Sequence, residues 1–296
     1  MKFDVVLGNP PFQHPSNPFK KTWEDFVRLS FSLAKDSGIV ALIHPLNWMS
    51  NKDNMLVQYF SEKTPLFVNI KECGKYFPHV STMIGYEIIK NEPNTKKQST
   101  PILTKGGIYE INFLDIVFLP NDINKNVLSI LEKTIYNTNH KKLMFIRSSE
   151  TGTGKIVKDV PTNVYKYPVF RGWSKATGIL WGYSSKPHSL HNKPKVIFQE
   201  FSTDNKGFFV GTTAATENGY MMVCDTKIQA TNLKTIMLSR LFQFLILQLK
   251  HTRTIRPHIL NLLPKIDLSH SWTDEELNKH FNLTEEEIKL IEKIVK

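Results

Sequence analysis

Residues 3–12 read Phe-Asp-Val-Val-Leu-Gly-Asn-Pro-Pro-Phe, a short apolar run followed by a proline-rich turn. The run Phe3–Leu7 ends at a glycine, a pattern typical of a buried strand. Pro10 and Pro11 fix their own φ angles and lack backbone donors, so the sequence predicts a rigid loop whose carbonyl oxygens are free to accept hydrogen bonds. The stretch therefore predicts a turn rich in acceptors at the carboxyl end of a strand, where ligands bind in α/β sheets.

Around this stretch, predicted strands alternate with single helices, an arrangement that argues for a parallel sheet of the α/β class. The predicted elements are a helix over Lys21–Asp36, a strand over Ile39–Ile43, a short helix over Asp53–Glu62, and strands over Phe67–Ile70 and Met83–Ile89. We interpret residues 1–95 as part of one α/β domain.

The next two segments differ in composition. Residues 91–105 are polar and punctuated by prolines, which indicates a loop, and a helix is predicted near Asn124–Tyr136. We interpret 96–144 as a linker or bridging segment. Residues 145–270 combine short strands, turn residues and a long helix over Leu233–Leu249, the pattern of an α+β domain.

Residues 271–296 form a predicted helical tail. Thr273 with Glu276, and Thr284 with Glu287, have the spacing of capping boxes, in which the two side chains satisfy backbone donors at a helix start. Two short terminal helices are therefore expected.

Length and composition exclude several classes of protein. The chain has 296 residues, 41% of them hydrophobic, so it can bury a core without disulfides. Its two cysteines, Cys73 and Cys224, are too few for a disulfide framework and favour a reducing compartment. The longest apolar stretch, Leu241–Leu249, is far shorter than the roughly 18 residues of a membrane span. We expect a cytoplasmic protein with no membrane association.

The net charge of +11 is regional. Residues 1–95 carry +1, residues 96–270 carry +13, and residues 271–296 carry −3. A basic block of this size is typical of a nucleic-acid-binding surface, because lysine and arginine neutralise phosphates. A solvated lysine-rich surface explains the charge alone equally well.

The turn after the first strand has the groups needed to hold an exocyclic amino group on an aromatic base. The Asn9 side-chain oxygen and the Pro10 carbonyl can each accept one amino hydrogen, and Phe12 offers a face for stacking. Such hydrogen bonds strengthen as positive charge develops on the nitrogen. Asn-Pro is also a common way to start a turn, so the motif by itself is weak.

Residues Phe3–Phe12 resemble the catalytic motif of the DNA adenine-N6 methyltransferases of restriction-modification systems. Gly38–Trp48 resembles the next strand of that family with its exit loop. Gly74–Ile89 is similar to the stretch whose phenylalanine forms the second face of the base sandwich. This resemblance implies catalytic roles for Asn9, Pro10, Pro11 and Phe12, and base stacking by Phe12 and Phe77.

The resemblance extends through the basic block, in the class whose target-recognition domain comes last. Phe145–Arg147 and Tyr167–Gly172 look like the opening of that domain, Lys193–Phe198 like its middle strand, and Leu238–Pro264 like its closing helix and loop. It implies double-stranded DNA as the partner and methyl transfer from S-adenosylmethionine to a flipped-out adenine.

The candidate DNA contacts are basic residues, the arginines chosen because their planar side chains can grip phosphate or guanine with two hydrogen bonds. They are Arg147, Arg171, Lys175, Arg253 and Arg256. His251 and His258 lack cysteine or carboxylate partners at metal-ligand spacing, so no metal is expected.

The resemblance implies that residues 1–95 are the catalytic half of a Rossmann-like methyltransferase sheet. The half of the family's fold that binds the cofactor has no counterpart in this sequence. Only eight residues precede Asn9, and the single Gly-x-Gly, Gly152–Gly154, runs into a proline rather than a helix and is interpreted as a loop. Two hypotheses follow. One is a split or truncated methyltransferase, whose cofactor half lies on a separate polypeptide or is lost by truncation of the reading frame; the other is a non-catalytic DNA-recognition module. A methyltransferase for RNA or a protein amide shares the motif but leaves the recognition-domain resemblance unexplained.

Overall fold

The computed structural model describes residues 1–13, 16, 22–49, 59, 62–71, 73, 76–77, 80, 83–95, 98–104, 106–113, 118–137, 139–151, 158–174, 177–199, 207–250 and 255–295. The chain divides into two compact units, Met1–Lys125 and Asn126–Lys296. Most of the helix predicted over Asp53–Glu62 lies outside the described residues.

The first unit is built on a six-stranded sheet with the spatial order β1-β2-β4-β3-β5-β6. The strands are β1 (Phe3–Gly8), β2 (Ala34–Pro45), β3 (Lys63–Asn69), β4 (Ile84–Pro93), β5 (Thr100–Thr104) and β6 (Gly107–Ile111). Helix α1 (Thr22–Leu33) connects β1 to β2 and ends three residues earlier than predicted.

The sheet is mixed rather than parallel. β1 pairs parallel with β2, and β3 pairs parallel with β5. β4 lies between β2 and β3 and is antiparallel to both, and β6 is antiparallel to β5. The prediction of a parallel sheet fails at β4 because the chain leaves β3 and enters β4 at the same edge of the sheet, which reverses its direction.

Helix α1 covers one face of the sheet. Its buried residues include Trp23, Val27 and Phe31, which repeat at helical spacing. The strand residues on this face are buried as well, among them Val40 and Leu42. Alternate positions of a strand point to opposite faces, so one continuous core forms between α1 and this side of the sheet.

Strand β1 is exposed, contrary to the prediction of a buried strand. The relative exposures of Phe3, Val5 and Leu7 are 44%, 59% and 79%. β1 is the last strand on its side of the sheet, and these three alternate residues lie on the face opposite to α1. An apolar run predicts a strand, but it does not say which neighbours cover the strand.

The predicted linker over 96–144 contains regular structure that belongs to both units. β4 runs on to Pro93, and β5 and β6 extend the first sheet, although Pro101 lies within β5. The first unit ends at Lys125, where α2 (Lys125–Thr134) begins close to the predicted helix. The polar composition of 91–105 predicts a loop throughout, but 91–93 complete β4 and 100–104 form β5.

The second unit contains two small sheets. One has the order β11-β10-β13-β7 and the other β12-β8-β9. The strands are β7 (Ile146–Arg147), β8 (Tyr167–Ser174), β9 (Gly178–Ser184), β10 (Lys195–Gln199), β11 (Phe208–Gly211), β12 (Ala214–Ala215) and β13 (Gly219–Val223). Buried residues from both sheets share one core: Phe170, Ile197, Ala214, Ala215 and Met221.

The single long helix predicted over Leu233–Leu249 is two helices, α3 (Lys227–Leu238) and α4 (Arg240–Leu249). Ser239 separates them with an extended backbone, and its hydroxyl donates to Ile236 O at 2.7 Å and accepts from Phe242 N at 3.3 Å. A serine that caps a new helix start competes with helix continuation. No helix in the described ranges is both long and apolar enough to cross a membrane.

The predicted helical tail is confirmed. After the short α5 (Pro257–Leu260), α6 (Asp274–His280) and α7 (Glu285–Ile294) each begin with a complete capping box. In the second box, Glu287 also binds Lys133 of α2, with Nζ 3.0 and 2.8 Å from its two carboxylate oxygens. The side chain of Glu287 is only 3% exposed, so this ion pair ties the tail to α2.

We expect Glu287→Gln to lower the free energy of unfolding of the full chain by about 2 kcal/mol, because it removes the charge from a buried, doubly hydrogen-bonded pair. Glu276 has the same position in the other capping box but is exposed and makes no ion pair within the described part. Glu276→Gln is the matched control and should cost about 0.3 kcal/mol. Urea denaturation measures both, and equal losses would contradict the role of Lys133.

The Glu287 contribution depends on pH. Burial alone raises the pKa of Glu287, but hydrogen bonds from Lys133, Ser129 and the Thr284 backbone outweigh it, so the net pKa is lowered. Because its pKa is lower in the folded protein, Glu287 stabilises the fold at pH values above its unfolded pKa of about 4.5. This stabilisation is lost as the pH falls through the folded pKa. The difference between Glu287→Gln and the wild type should therefore shrink in acid.

Candidate active site at the edge of the first sheet

Four chain segments meet at one edge of the first sheet. β1 and β2 are parallel, so the turn after Gly8 and the 3₁₀ turn Leu46–Met49 leave the sheet on the same side. The register pairs Pro45 with Ile84 and Asn69 with Tyr86, so the end of β3 and the start of β4 lie at this edge as well. The topology thus brings together the turn at Asn9 and the connection between β3 and β4.

The turn at Asn9 is partly buried and partly exposed. Pro10 is buried, whereas Asn9 and Pro11 are exposed and Phe12 is half-buried. In the described part of the chain the Asn9 side chain makes no hydrogen bond. An exposed amide on a rigid turn keeps its acceptor oxygen available to a ligand.

The structure brings Phe12 and Phe77 together. Their ring centroids are 6.3 Å apart and the ring planes are inclined by 51°. Both side chains are half-buried. Phe77 is held in a short turn in which Tyr76 N donates to Cys73 O at 2.9 Å and Val80 N donates to Phe77 O at 3.0 Å. Two residues that were selected separately in the sequence are therefore neighbours in space.

The present ring geometry leaves no slot for a base. A planar base between two parallel rings needs a ring separation of about 7 Å, twice the contact distance of roughly 3.5 Å. The tilted rings at 6.3 Å instead contact each other. A base can enter only if the rings rotate towards parallel and separate slightly, a side-chain motion within the ordinary range.

A buried ion pair that the sequence reasoning missed lies beneath this edge. His44 Nε2 is 2.5 Å from Glu87 Oε1, and both side chains are almost fully buried. His44 Nδ1 is 3.0 Å from Pro45 O, and the imidazole stacks on Trp23 at a centroid distance of 4.8 Å. Both ring nitrogens face acceptors, so the geometry fits an imidazolium that donates twice.

The environment of His44 favours its charged form. Burial disfavours the imidazolium, but the attraction of Glu87, its hydrogen bond and the Pro45 carbonyl outweigh burial, so the pKa of His44 is raised. The pair could have been inferred from strand alternation, because His44 has the same parity as Val40 and Leu42 on the buried face. It joins β2 to β4 directly behind the turns that form the candidate site.

Of the five candidate DNA contacts, the structure describes Arg147, Arg171 and Arg256. Arg171 is paired with Asp159, and Arg147 Nε donates to Glu217 O at 2.8 Å. Arg256 is exposed and starts α5. Lys175 and Arg253 lie outside the described residues. Arg147 and Arg171 lie near the same segment, Thr216–Glu217. Arg147 donates to Glu217 O, and Thr216 N donates at 2.9 Å to the carbonyl of Phe170, the residue before Arg171.

The predicted opening and closing stretches of the second unit lie side by side. Asn261 clamps Phe145 with two hydrogen bonds, accepting from its N–H at 2.6 Å and donating to its carbonyl at 3.0 Å. Leu143 N donates to Leu263 O at 3.0 Å. This pairing holds α5, which follows Arg256, against the strand that leads to Arg147.

The described residues do not fit a complete S-adenosylmethionine site. They supply acceptors and aromatic rings for a base, but the only Gly-x-Gly of the chain, Gly152–Gly154, lies outside them. Asn9 and the preceding Leu7 are exposed, so the turn is open on the outer side of β1. No group of three or more potential metal ligands occurs among the described residues.

Comparison with known proteins supports the resemblance seen in the sequence. Residues 1–73 match the family model of the Eco57I restriction-modification methylase. A Mycoplasma pneumoniae protein described as an uncharacterized adenine-specific methylase is 27% identical over 165 residues, which cover 51% of this chain and 38% of that protein. The resemblance of the N-terminal segment to restriction-modification methylases is thus confirmed. The chain spans well under half the length of this relative.

Two solved structures superpose on much of the chain at low sequence identity. The type IIL restriction-modification enzyme MmeI, solved in complex with DNA, gives a TM-score of 0.46 at 8% identity and covers 79% of this chain and 42% of its own. The type IIG restriction endonuclease BpuSI gives a TM-score of 0.32 at 10% identity, with 93% and 44% covered.

Proposed function

We propose that the chain is the catalytic and target-recognition part of a site-specific DNA methyltransferase that acts on the N6 amino group of adenine. The observation that carries the proposal is the rigid Asn9–Phe12 turn at the end of β1, with Phe77 beside Phe12. The match of residues 1–73 to the methylase family model supports it.

The proposed chemistry follows from the acceptors of the turn. The amino nitrogen of adenine is conjugated with the ring and is a poor nucleophile. When Asn9 Oδ1 and the Pro10 carbonyl accept its two hydrogens, a pyramidal nitrogen with an available lone pair is favoured. These hydrogen bonds strengthen as charge develops on the nitrogen, which lowers the barrier. S-adenosylmethionine would supply the methyl group: the N6 lone pair would form the new N–C bond as the sulfonium–methyl bond breaks, S-adenosylhomocysteine would leave, and one N6 hydrogen would pass to solvent as a proton. The described residues cannot hold this donor alone.

The base must leave the duplex to reach this turn, which costs a few kcal/mol of stacking and pairing. Phe12 and Phe77 repay part of this cost by stacking on the flipped adenine, a contact of about 1–3 kcal/mol per base. Residues 145–270, with Arg147, Arg171, Lys175, Arg253 and Arg256, are proposed to grip the duplex and recognise its sequence. In this assignment the first unit does the chemistry and the second selects the site.

The active enzyme is proposed to need a cofactor-binding half that the described residues do not supply. The alternative is a non-catalytic DNA-recognition module, and one observation favours it: the open outer side of the Asn9 turn, where the donor has no described contacts. A module that only binds DNA has no use for an exposed acceptor on a rigid turn, so we favour the enzyme.

Expression in cells that lack adenine methylation tests the function. The chain is produced alone and together with the reading frames that adjoin it in its source genome, and N6-methyladenine is mapped by single-molecule sequencing. Methylation of one sequence motif only in the combined strain supports the proposal. Methylation by the chain alone upholds the activity and refutes the need for a further cofactor-binding half. No methylation, with specific DNA binding by the purified chain, establishes the recognition module.

A further inference from the structure

One side chain beneath the candidate site contacts three elements that border the site. The His44 imidazole lies on the indole of Trp23, with the ring planes 14° apart, and Trp23 belongs to the first turn of α1. Its Nδ1 faces Pro45 O at the end of β2, and its Nε2 faces the Glu87 carboxylate of β4. α1 follows the turn after β1 along the chain, and β4 follows the segment that carries Phe77.

β2 is the strand that holds both sides of the site. On one side it pairs with β1, where Gly8 lies opposite Leu42, directly before the Asn9 turn. On the other side it pairs with β4, where His44 lies opposite Gly85. The end of β2 therefore sets how far the turn after β1 lies from the segment before β4.

A series of backbone hydrogen bonds joins the end of β2 to Phe77. The series is Leu46 N to Met83 O, Cys73 N to Ile84 O, and Tyr76 N to Cys73 O, each 2.9 Å long. The strands are also closely packed at Gly85, where a Cβ atom would lie only 2.6 Å from Leu46 Cδ2. A displacement of Pro45 should therefore reach Phe77, because the connection runs through backbone groups.

Fold stability alone does not explain an ion pair at this place. Two buried charges lose their hydration, and apolar side chains of similar size stabilise such positions equally well or better. The neighbours on this face are apolar, among them Val40, Leu42 and Ile89, all at most 3% exposed. An apolar pair would fit them, but it could not bind the Pro45 carbonyl and β4 at the same time.

We infer that the His44–Glu87 pair positions the Phe77 segment relative to the turn after β1. It thereby sets the gap between Phe12 and Phe77 in which the adenine ring stacks. Both members of the pair are buried behind the site and act through the backbone, so they are positioning residues. The inference rests on the proposed function, because it takes an adenine to be the group that enters the gap.

The link depends on the charge of His44. α1 presents the uncharged Trp23 to the imidazole, β2 presents the Pro45 carbonyl, and β4 presents Glu87, the one charged group among the described residues that acts on His44. The imidazolium donates to both acceptors, whereas a neutral imidazole that still donates to Glu87 turns a lone pair towards Pro45 O. Because the pKa of His44 is raised, the double donor persists above pH 6.5 and is lost as the pH rises through the folded value.

A fluorine label reports the position of the Phe77 segment without any need for catalysis. The label, para-fluorophenylalanine, replaces Phe77 in the full chain, and its NMR signal is compared between the wild type and His44→Phe/Glu87→Met. This double variant keeps an aromatic ring on Trp23 and the approximate volume of both side chains, so it should fold with wild-type stability. The control is Glu287→Gln, which removes the charge from a buried pair of the second unit.

Near neutral pH, we expect the double variant to shift the fluorine signal and to broaden it about twofold or more, because the segment samples several positions. In the wild type the signal should also move as His44 loses its proton, and this movement should be missing from the double variant. Cys73, Tyr76 and His79 are present in both forms, so their titration cancels in the comparison. Glu287→Gln should leave the signal at its wild-type position.

The unlabelled double variant should transfer methyl groups about tenfold more slowly in the active enzyme, with unchanged affinity for DNA. The same fluorine signal or the same pH response in both forms, or an unchanged rate, would overturn the inference. The readouts separate it from the proposed function. If no form methylates DNA, the function is refuted and the fluorine comparison alone decides the positioning role. Full activity of the double variant keeps the function and refutes the positioning role.

Discussion

Asn9→Ala is expected to lower the rate of methyl transfer by about 100-fold or more while leaving the affinity for DNA nearly unchanged. Loss of one preorganised hydrogen-bonding group at a developing charge has effects of this size. In the proposed function, the affinity for DNA comes mainly from basic residues of the second unit, which this substitution leaves unchanged. Single-turnover transfer from labelled S-adenosylmethionine by the active enzyme, together with salt-dependent DNA binding, measures both quantities.

Two variants control for this experiment. Asn9→Asp keeps an acceptor oxygen on the same rigid turn and should recover most of the lost rate. Asn139→Ala removes an exposed amide from the second unit and should change neither quantity. A normal rate for Asn9→Ala would remove Asn9 from the proposed mechanism. An equal loss of rate and DNA affinity would assign it to target binding instead.

Glu87→Gln is expected to lower the free energy of unfolding by about 3 kcal/mol at pH 6. It removes one partner from the buried pair with His44, and broken buried pairs cost more than exposed ones. Denaturant unfolding of the purified chain measures the loss. The control is Glu292→Gln, which breaks the exposed 2.9 Å pair with Arg240 and should cost less than about 0.5 kcal/mol.

The pH dependence identifies the charge state of the pair. Because the pKa of His44 is raised, its contribution to stability is complete below the unfolded value of 6.5. It is lost as the pH rises through the folded value. The difference between wild type and Glu87→Gln should therefore be largest in mild acid and shrink in alkali. A difference that stays constant across this range would show that His44 is neutral in the folded protein.

The sequence predicted local structure well because local signals decide it. The strand–turn motif at Phe3–Phe12 and both capping boxes have short-range causes, and the structure contains β1 and both tail helices. Phe77 could be chosen as a base-stacking candidate only through the family resemblance, because a single phenylalanine carries no sequence pattern that indicates stacking. Its position beside Phe12 then follows from the register of β3 and β4.

Sequence reasoning missed the features that depend on neighbours distant in the chain. The exposure of Val5 and Leu7 follows from the place of β1 at the sheet edge, which an apolar run does not encode. The direction of β4 depends on where the chain re-enters the sheet. The His44–Glu87 pair joins two strands 43 positions apart. The break at Ser239 was local and could have been found, because serine is a strong N-cap residue.

Under the proposed function, the Asn261–Phe145 clamp also bears on how the recognised DNA sequence can change. The chain enters the region after Phe145 and leaves it before Asn261 at a single place, held by side-chain and backbone hydrogen bonds. The segment between Phe145 and Asn261 therefore begins and ends at the same place. Segments with adjacent ends tolerate insertion and exchange as a whole. Exchange of the segment between these two positions would replace the proposed DNA-recognition region and leave the sheet that bears Asn9 unchanged.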